Sequence, residues 1–320
     1  MNDLVQTVLG PKKISELGKM LVHEHLVIGW PGWEGDSAFP FNRKEAIKIC
    51  CDQLDKLKAL GVKTFVDPCP NDLGRDVEFM AECAQKTGMN VVCSTGFYKE
   101  DLGGSVFRFR AGFGDVGSEV LELYLKEIEE GIGSTGIKAG LIKCATGEGS
   151  IKPYEEMLLR SAARAQKKTG VPIITHTDHG SLGDKQLEIF FSEGVKPDRI
   201  AIGHSDDRAD LAYHAGILDR GAFLSFDRMG LELIFANKLR IASLIALLAS
   251  GYEKQMLISH DSVQCWRGRP LPSHLLPVLT DYEPTFIFRV VLPKLREVGF
   301  GDKTIETVLV DNPRRFFAGG

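Results

Sequence analysis

Eight short apolar runs recur along the whole chain, and stretches of helical periodicity separate them. Most of the runs are almost continuously apolar, which is typical of parallel strands covered by helices on their outer face. The intervening helical signals include the cap Asn42 with Glu45 three residues later, and Gly61 as the end of the same helix. The strands are predicted at residues 20–26, 63–69, 90–96, 139–145, 171–177, 199–205, 222–227 and 255–261.

Eight strands that alternate with helices predict a (β/α)8 TIM barrel. The 320 residues fit a single domain over residues 1–320, since α/β barrels often run to about 250 residues or more. The alternative is an open doubly wound sheet, which usually carries a glycine-rich fingerprint after its first strand. The first strand here ends in a pair of histidines instead. The segment before it predicts a short N-terminal extension with a hairpin around Gly10 and Pro11.

The composition excludes several classes of protein. Hydrophobic residues make up 43% and charged residues 26%, the profile of a packed globular protein. The net charge of −4 argues against a nucleic-acid or anionic-membrane partner. No apolar run approaches the about 18 residues of a membrane span, and the first residues lack the features of a secretory signal. Seven cysteines without a CxxC pair are expected to be reduced and mostly buried, as in a cytoplasmic protein.

Side chains able to bind metal ions stand at the carboxyl ends of the predicted strands, where the chemistry of a barrel collects. His23 and His25 are two residues apart, a spacing that places both on one face of a strand. Converging charges in a barrel mouth are costly without a counter-ion, which a metal centre supplies. Imidazoles and carboxylates suit Zn²⁺ and neighbouring first-row metals, and this many ligands suit two ions. The set is His23, His25, Lys143, His176, His204 and Asp261.

Each of these residues also has an ordinary structural interpretation when taken alone. His23 and His25 could be a satisfied core or surface pair. Lys143 could anchor a buried salt bridge, and Asp261 could cap a helix. Their place at the same end of five strands favours the metal centre. Two neighbouring ions need a bridging anion, and a lysine amine of lowered pKa can add carbon dioxide to become a carbamate.

At these residues the chain resembles the phosphotriesterase-like family of the amidohydrolase superfamily. The resemblance covers nearly the whole chain, from residues 5–10 (VQTVLG) through 18–25 (GKMLVHEH) to 312–317 (NPRRFF). It implies a (β/α)8 barrel that holds two divalent metals, zinc by preference, although the same ligands accept iron, cobalt or manganese. The implied ligands are His23, His25 and Asp261 for the more buried ion, His176 and His204 for the more exposed one, and carboxylated Lys143 with a hydroxide as the bridge.

Within this family the chain is most similar to the phosphotriesterase-like lactonases. Their tyrosine at the end of strand three is matched by Tyr98, and their arginine after strand seven by Arg228. The dedicated organophosphate hydrolases carry a histidine in place of that arginine. The resemblance therefore implies a homodimeric hydrolase of acyl-homoserine or other γ- and δ-lactones, with weak promiscuous phosphotriesterase activity. Hydrolysis of acyl-homoserine lactones would make it a quorum-quenching enzyme.

The mechanism that follows from the resemblance gives three residues a catalytic role. Asp261 accepts the proton of the hydroxide that attacks the lactone carbonyl, and passes it to the leaving alkoxide. Tyr98 holds the bridging oxygen or the substrate carbonyl, and Arg228 orients the ring. Hydrolysis of an amide, a carboxylic ester or a phosphorylated sugar lactone on the same metals stays open. A non-catalytic metal-binding scaffold is also an alternative, which the complete ligand set disfavours.

The loop after the eighth strand, residues 262–277, is expected to cover the pocket. Its Val263 and Trp266, together with Ile28, line an apolar channel for an acyl chain or else form a dimer contact. Arg267 and Arg269 are expected at the solvated surface, with a substrate phosphate as the alternative partner. The stretch 107–110 (FRFR) is expected to touch the pocket or a partner subunit. Further channel candidates are Trp30, Trp33, Cys265, Leu271, Leu275 and Leu276.

Overall fold

The protein is a nearly closed barrel of eight parallel strands, seen in a computed structural model that describes residues 3–319. Strand order in the sheet follows the chain, so the predicted (β/α)8 barrel is confirmed. Of the strands below, β3 and β5 to β11 form the barrel, while β1–β2 and β4–β12 are two-stranded sheets. The strands are β1 (Leu4–Thr7), β2 (Gly10–Lys13), β3 (Lys19–Leu21), β4 (His25–Gly29), β5 (Val62–Asp67), β6 (Asn90–Gly96), β7 (Leu141–Thr146), β8 (Ile173–Thr177), β9 (Ile200–Ile202), β10 (Phe223–Phe226), β11 (Met256–Ile258) and β12 (Val263–Arg267).

Helices surround the barrel and begin and end at the predicted signals where these were strong. The Asn42 side chain accepts a hydrogen bond from the Glu45 amide at 3.2 Å, which caps the first helix. None of the described helices is both long and apolar enough to cross a membrane. The helices are α1 (Arg43–Ala59), α2 (Val77–Thr87), α3 (Ser105–Arg110), α4 (Val116–Glu129), α5 (Pro153–Thr169), α6 (Gly183–Ser192), α7 (Leu211–Leu218), α8 (Asn237–Ala249), α9 (Leu292–Glu297), α10 (Asp302–Glu306) and α11 (Asn312–Ala318).

The amino-terminal end of the barrel is closed by apolar side chains from both ends of the chain. The predicted hairpin forms between β1 and β2, with Thr7 opposite Gly10. Its Val5 joins a buried cluster with residues inside the barrel and with Phe316 and Phe317 of α11. Met20 belongs to the same cluster and is fully buried. This apolar plug leaves the opposite, carboxyl-terminal end as the open mouth.

The prediction of one continuous first strand over residues 20–26 is wrong. Strand β3 ends at Leu21, and the chain leaves the barrel and resumes as β4, which pairs in parallel with β12. The buried carboxylate of Glu24 lies at the break and accepts hydrogen bonds from the Ser262 hydroxyl at 2.6 Å and from the His260 amide at 2.9 Å. These bonds tie the first strand to the segment after the eighth, in place of further backbone pairing.

Six other barrel strands are shorter than predicted, and the largest losses at the carboxyl end are in β9 and β11. Strands β9, β10 and β11 end at Ile202, Phe226 and Ile258. His204 and Asp261 then adopt left-handed backbone conformations, with φ of 55° and 53°. The described cysteines are all free thiols, and most of them are buried as predicted.

Candidate metal centre and its pocket

All six predicted ligands lie together at the carboxyl-terminal mouth of the barrel. Lys143 lies within β7, His176 near the end of β8 and His25 at the start of β4, and the other three lie in the turns after β3, β9 and β11. The four histidines and Lys143 are at most 4% exposed. Asp261 is slightly more open, with a side-chain exposure of 13%. This region is therefore a buried cluster of titratable groups in an otherwise apolar barrel.

The carboxylate of Asp261 is at the centre of the cluster. Its Oδ1 lies 3.1 Å from Nε2 of His25 and 3.4 Å from Nε2 of His23. Its Oδ2 lies 3.7 Å from Nε2 of His204. The Lys143 amine is 2.9 Å from Nε2 of His23. Donor atoms of His23, His204 and Asp261 all fall within 4.8 Å of one another, close enough to share one ion.

Two buried aspartates that the sequence analysis did not assign hold three of the imidazoles. Asp227 is bonded to Nδ1 of His23 at 2.7 Å and to Nδ1 of His204 at 2.8 Å. Asp67 is bonded to Nδ1 of His25 at 2.9 Å. A carboxylate at Nδ1 favours the ring proton on that nitrogen, so that Nε2 of each neutral ring can serve as a metal ligand. The signal in the sequence was an aspartate at the end of an apolar strand, at residues 67 and 227.

His176 lies on the opposite side of the cluster and has different partners. Its Nε2 is 2.7 Å from Asp178, which in turn forms an ion pair with Lys99. The Tyr98 hydroxyl lies 3.3 Å from the same nitrogen. The ring of His176 stands edge-on to that of His204, with centroids 4.6 Å apart. The structure therefore brings His176 into the cluster, with Tyr98 next to it.

Burial and neighbouring charges shift the pKa values of these groups in different directions. Burial lowers the pKa of Lys143 to about 8, so part of its amine is uncharged near neutral pH. Burial would also lower the pKa of His25, but hydrogen bonds to Asp261 and Asp67 raise it to about 9. Burial would raise the pKa of Asp261, yet the neighbouring His204, His23 and Arg228 hold that pKa well below its usual range. Asp261 is therefore an anion among nitrogen donors.

The left-handed turns at His204 and Asp261 are part of how the site is built. Residues other than glycine rarely adopt positive φ, and such strain persists only where the surroundings impose it. The amide of His204 donates to Oδ1 of Asp227 at 2.7 Å, and the amide of Asp261 donates to the carbonyl of His23 at 2.9 Å. Backbone hydrogen bonds thus hold both side chains toward the centre.

Arg228 connects the cluster to a second group of charges. Its Nε donates to Oδ2 of Asp261 at 2.9 Å, and its Nη1 donates to Asp207 at 2.5 Å. Asp207 is also bonded to Arg240, a residue of α8 that the sequence analysis did not single out. Arg228 is thereby held directly against the central carboxylate.

Above the cluster is a cavity of about 210 Å³ with mainly apolar walls. The five predicted substrate contacts, Ile28, Tyr98, Arg228, Val263 and Trp266, all line it. The indole of Trp266 stacks on Trp30, with ring centroids 5.9 Å apart. Apolar lining residues that the sequence analysis did not predict are Pro70, Leu73, Leu231, Leu233, Ile234 and Leu279.

Several predicted pocket residues lie elsewhere. The thiol of Cys265 points to that of Cys50, 3.9 Å away. Trp33 packs under the guanidinium of Arg267, which forms an ion pair with Asp76 and has a side-chain exposure of 10%. The prediction of a solvated Arg267 is therefore wrong, because the pairing of β12 with β4 turns this side chain inward. Leu275, Leu276 and the stretch 107–110 also lie outside the cavity lining.

Arg269 fits its predicted place at the surface. Its side chain is 67% exposed and pairs with Asp36 at 3.1 Å. Neither Arg267 nor Arg269 lines the cavity. No arginine of this loop is therefore placed, among the described residues, to hold a substrate phosphate inside the pocket.

The chemistry of the donor set fits divalent metal ions. Imidazole nitrogens with carboxylate-bonded partner nitrogens, together with a carboxylate, are the ligands that zinc and its neighbours prefer. Three carboxylates, those of Asp67, Asp227 and Asp261, converge on these buried imidazoles, and the positive charge of metal ions would offset the cost of burying them together. The candidate ion positions are therefore supported by charge as well as by distance.

Comparison with known proteins agrees with this arrangement. The sequence profile of the phosphotriesterase family matches residues 3–317. A phosphotriesterase homology protein of Mycobacterium tuberculosis is 36% identical over 98% of this chain and 97% of its own length. An aryldialkylphosphatase of Saccharolobus solfataricus is 34% identical over 95% of this chain and 96% of its own length. The crystal structure of a mutant PTE-like lactonase of Deinococcus radiodurans is 41% identical, with a TM-score of 0.95 over 98% of this chain and 100% of that one.

Proposed function

The chain belongs to the phosphotriesterase family of binuclear metal hydrolases, which act on ester bonds, and we propose that within this family it is a lactonase. The proposed substrates are γ- and δ-lactones, including acyl-homoserine lactones, with weak hydrolysis of phosphotriesters as a side activity. The similarity to a PTE-like lactonase over nearly the whole chain supports this choice. The shape and polarity of the cavity are the main support for a lactonase.

The observation that carries the proposal is the placement of Tyr98 and Arg228 at the floor of an apolar cavity. Both large polar side chains lie next to the metal-binding cluster, while Leu231, Leu233 and Trp266 form the walls. A planar lactone carbonyl needs one open position at the floor and a channel for its substituent. A phosphotriester carries three groups around a tetrahedral phosphorus and needs space where Tyr98 and Arg228 stand.

The proposed metal ligands are those that the sequence analysis assigned. His23, His25 and Asp261 would hold the more buried ion, His176 and His204 would hold the more exposed one, and carboxylated Lys143 would be a further ligand. The bound metals supply Lewis-acid activation of the carbonyl and a water of lowered pKa. Zinc is the proposed metal, because these nitrogen and oxygen donors suit it.

The residues of the chain perform the proton transfer and hold the substrate. Asp261 accepts the proton of the attacking water and delivers it to the leaving alkoxide oxygen. Arg228 keeps the Asp261 carboxylate in place through its 2.9 Å hydrogen bond. Burial raises the pKa of Tyr98 above its usual range, so the hydroxyl stays protonated and donates to the carbonyl oxygen.

The cavity is poorly suited to a phosphorylated lactone. Among its described lining residues, the lysine and arginine side chains are Lys143 and Arg228, and both already have partners within the cluster. Arg267 and Arg269 pair with aspartates outside the cavity. A substrate phosphate would thus lose its hydration against apolar walls without gaining a free cation.

A comparison of metal-loaded enzyme on lactones and on paraoxon tests the proposal. We expect kcat/KM for the best lactone to exceed that for paraoxon by at least about a hundredfold, or roughly 2.7 kcal/mol of transition-state discrimination. Tyr98→Ala should narrow the gap by admitting the phosphotriester, and Tyr213→Ala, outside the cavity, serves as its control. Equal efficiency of the wild-type protein on paraoxon and on every lactone would refute the lactonase assignment. Cleavage of an N-acyl amino acid alone would keep the metal centre but change the substrate class.

A further inference from the structure

Arg240 has the largest fully buried side chain among the described residues, and the activity assigned above does not use it. It lies on α8, behind the loop of residues 228–236 that connects β10 to this helix. Its guanidinium makes polar contacts in two directions, with two carboxylates on one side and two backbone carbonyls of the loop on the other. A buried arginine with four such partners is costly unless all of them are held in place.

The first direction leads to the central carboxylate. Nη1 of Arg240 lies 2.6 Å from Oδ1 of Asp207 and 3.1 Å from Oδ2 of Asp206. The other oxygen of Asp207 accepts from Arg228, and Asp206 accepts from the Arg228 amide at 3.0 Å. Arg228 in turn contacts Asp261. Both the backbone and the guanidinium of Arg228 are thus held by carboxylates that Arg240 fixes from behind.

The second direction leads to the cavity wall. Nη2 of Arg240 donates to the carbonyl of Leu231 at 3.1 Å, and Nε donates to the carbonyl of Phe235 at 3.3 Å. These two carbonyls bracket Leu233 and Ile234, which line the cavity together with Leu231. The loop has little regular structure of its own, so these bonds replace the backbone pairing that a strand would provide.

Asn237, the first residue of α8, supports the first half of the 228–236 loop. Its side chain accepts from the amide of Gly230 at 3.0 Å, and its own amide donates to Glu232 at 2.6 Å. Gly230 has a φ of 103°, and a Cβ there would lie 2.3 Å from the carbonyl of Asp281. The first half of the loop therefore has little freedom, and Arg240 fixes the part that carries the apolar wall.

We propose that Arg240 is a positioning residue that sets substrate selectivity. It holds the apolar wall formed by the 228–236 loop and, through Asp207, it holds the guanidinium of Arg228. The position of the wall relative to this guanidinium is thereby fixed. Lysine could not replace it, because the planar guanidinium is needed to reach carboxylates and carbonyls at the same time. The selectivity part rests on the proposed lactonase function, whereas the ordering of the loop does not.

The test compares Arg240→Met with Arg199→Met. Arg199 is also buried and also donates to two backbone carbonyls, those of Phe316 and Gly170, but at the closed end of the barrel. In hydrogen exchange of the metal-free protein, the loop amides of Leu231 and Ile234 should exchange about tenfold faster in Arg240→Met, the effect of losing one or two hydrogen bonds. Arg199→Met should leave them at the wild-type rate.

Kinetics supply the second measurement. In metal-loaded Arg240→Met we expect a lower kcat and a higher KM for a long-chain lactone, with unchanged or better turnover of paraoxon. The ratio of the two kcat/KM values should fall by at least about tenfold, within the range of coupling through a positioned element. In Arg240→Lys this ratio should stay close to the value in Arg240→Met. If Arg240 only supplied a buried positive charge, lysine would bring the ratio back to the wild-type value.

The double variant Arg240→Met/Asp206→Asn distinguishes a loss of the loop hydrogen bonds from a folding defect caused by an unpaired buried carboxylate. It removes one negative charge together with the positive charge of Arg240, so the charge balance is restored. This protein still lacks both bonds to the loop, so fast exchange should persist. Wild-type exchange of the 228–236 amides in either variant overturns the proposal, as does the same increase in Arg199→Met. If the wild-type enzyme cleaves no lactone, the lactonase assignment fails, while the exchange result still decides the role of Arg240.

Discussion

The substitution Asp227→Asn is the sharpest test of how the imidazoles are oriented. Oδ1 of Asp227 accepts from both the amide and Nδ1 of His204, and Oδ2 accepts from Nδ1 of His23. An asparagine of the same size offers one oxygen and one NH2 group. If the oxygen keeps His204, the NH2 faces Nδ1 of His23, which must then act as an acceptor. The ring proton of His23 moves to Nε2, the nitrogen that faces Asp261 and Lys143.

In the opposite orientation the NH2 group of the asparagine faces His204, which then loses the hydrogen bonds of both its amide and its Nδ1. In either case one imidazole of the set no longer presents a lone pair to the centre. Loss of such a supporting carboxylate typically lowers metal affinity by about 10- to 100-fold, or roughly 1.4–2.7 kcal/mol. We therefore expect Asp227→Asn to fold and to bind at least one of its two ions that much more weakly.

Metal content measured by mass spectrometry after dialysis against a series of chelator concentrations gives the affinity directly. Imidazole nitrogen shifts in the metal-free protein report which ring nitrogen of His23 carries the proton. Asp219→Asn is the matched control, since this exposed carboxylate accepts only from the Tyr252 hydroxyl in the described structure. Two ions bound with wild-type affinity in Asp227→Asn would refute the argument.

Two further predictions follow from other groups. Lys143→Ala should lose at least one metal ion and nearly all activity while keeping its thermal unfolding transition, so two ions in an active variant would contradict a bridging role. Burial raises the pKa of Asp72 from 3.8 to about 6. Between these two pH values the folded protein binds more protons than the unfolded chain, so the folded protein loses stability as the pH rises. Asp72→Asn should therefore gain up to about 3 kcal/mol over the wild type between about pH 4 and pH 6. Urea unfolding of both proteins at about pH 4 and pH 6 measures this gain in the free energy of unfolding. A gain that is the same at both pH values would contradict a raised pKa of Asp72.

Local signals were enough to predict the barrel and much of its mouth. The apolar runs predicted strand β6 at its observed bounds, and Asn42 caps its helix as expected. The six candidate ligands could be named because each follows an apolar run, and parallel strands bring their carboxyl ends together. The order of the elements along the chain is enough for such a prediction.

Features that depend on distant pairing could not be predicted. The turns at His204 and Asp261 are held by distant partners, the Asp227 carboxylate and the His23 carbonyl, so no local pattern marks their positive φ. Nothing in the sequence distinguishes Asp227, which holds two imidazoles, from an aspartate that merely ends a strand. Arg267 looks like any arginine of a surface loop until β12 pairs with β4 and turns it inward.

The pairing of β4 with β12 also has a consequence for redesign. Barrel enzymes are usually treated as a fixed frame with eight interchangeable loops, yet here the segments after the first and the eighth strands share one small sheet. Trp30 just after β4 and Trp266 in β12 stack on each other at the cavity rim, so a change in one segment is transmitted to the other. Transplanting either segment alone from a relative should fail where transplanting both together succeeds. Mutant libraries should accordingly vary these two segments as one unit.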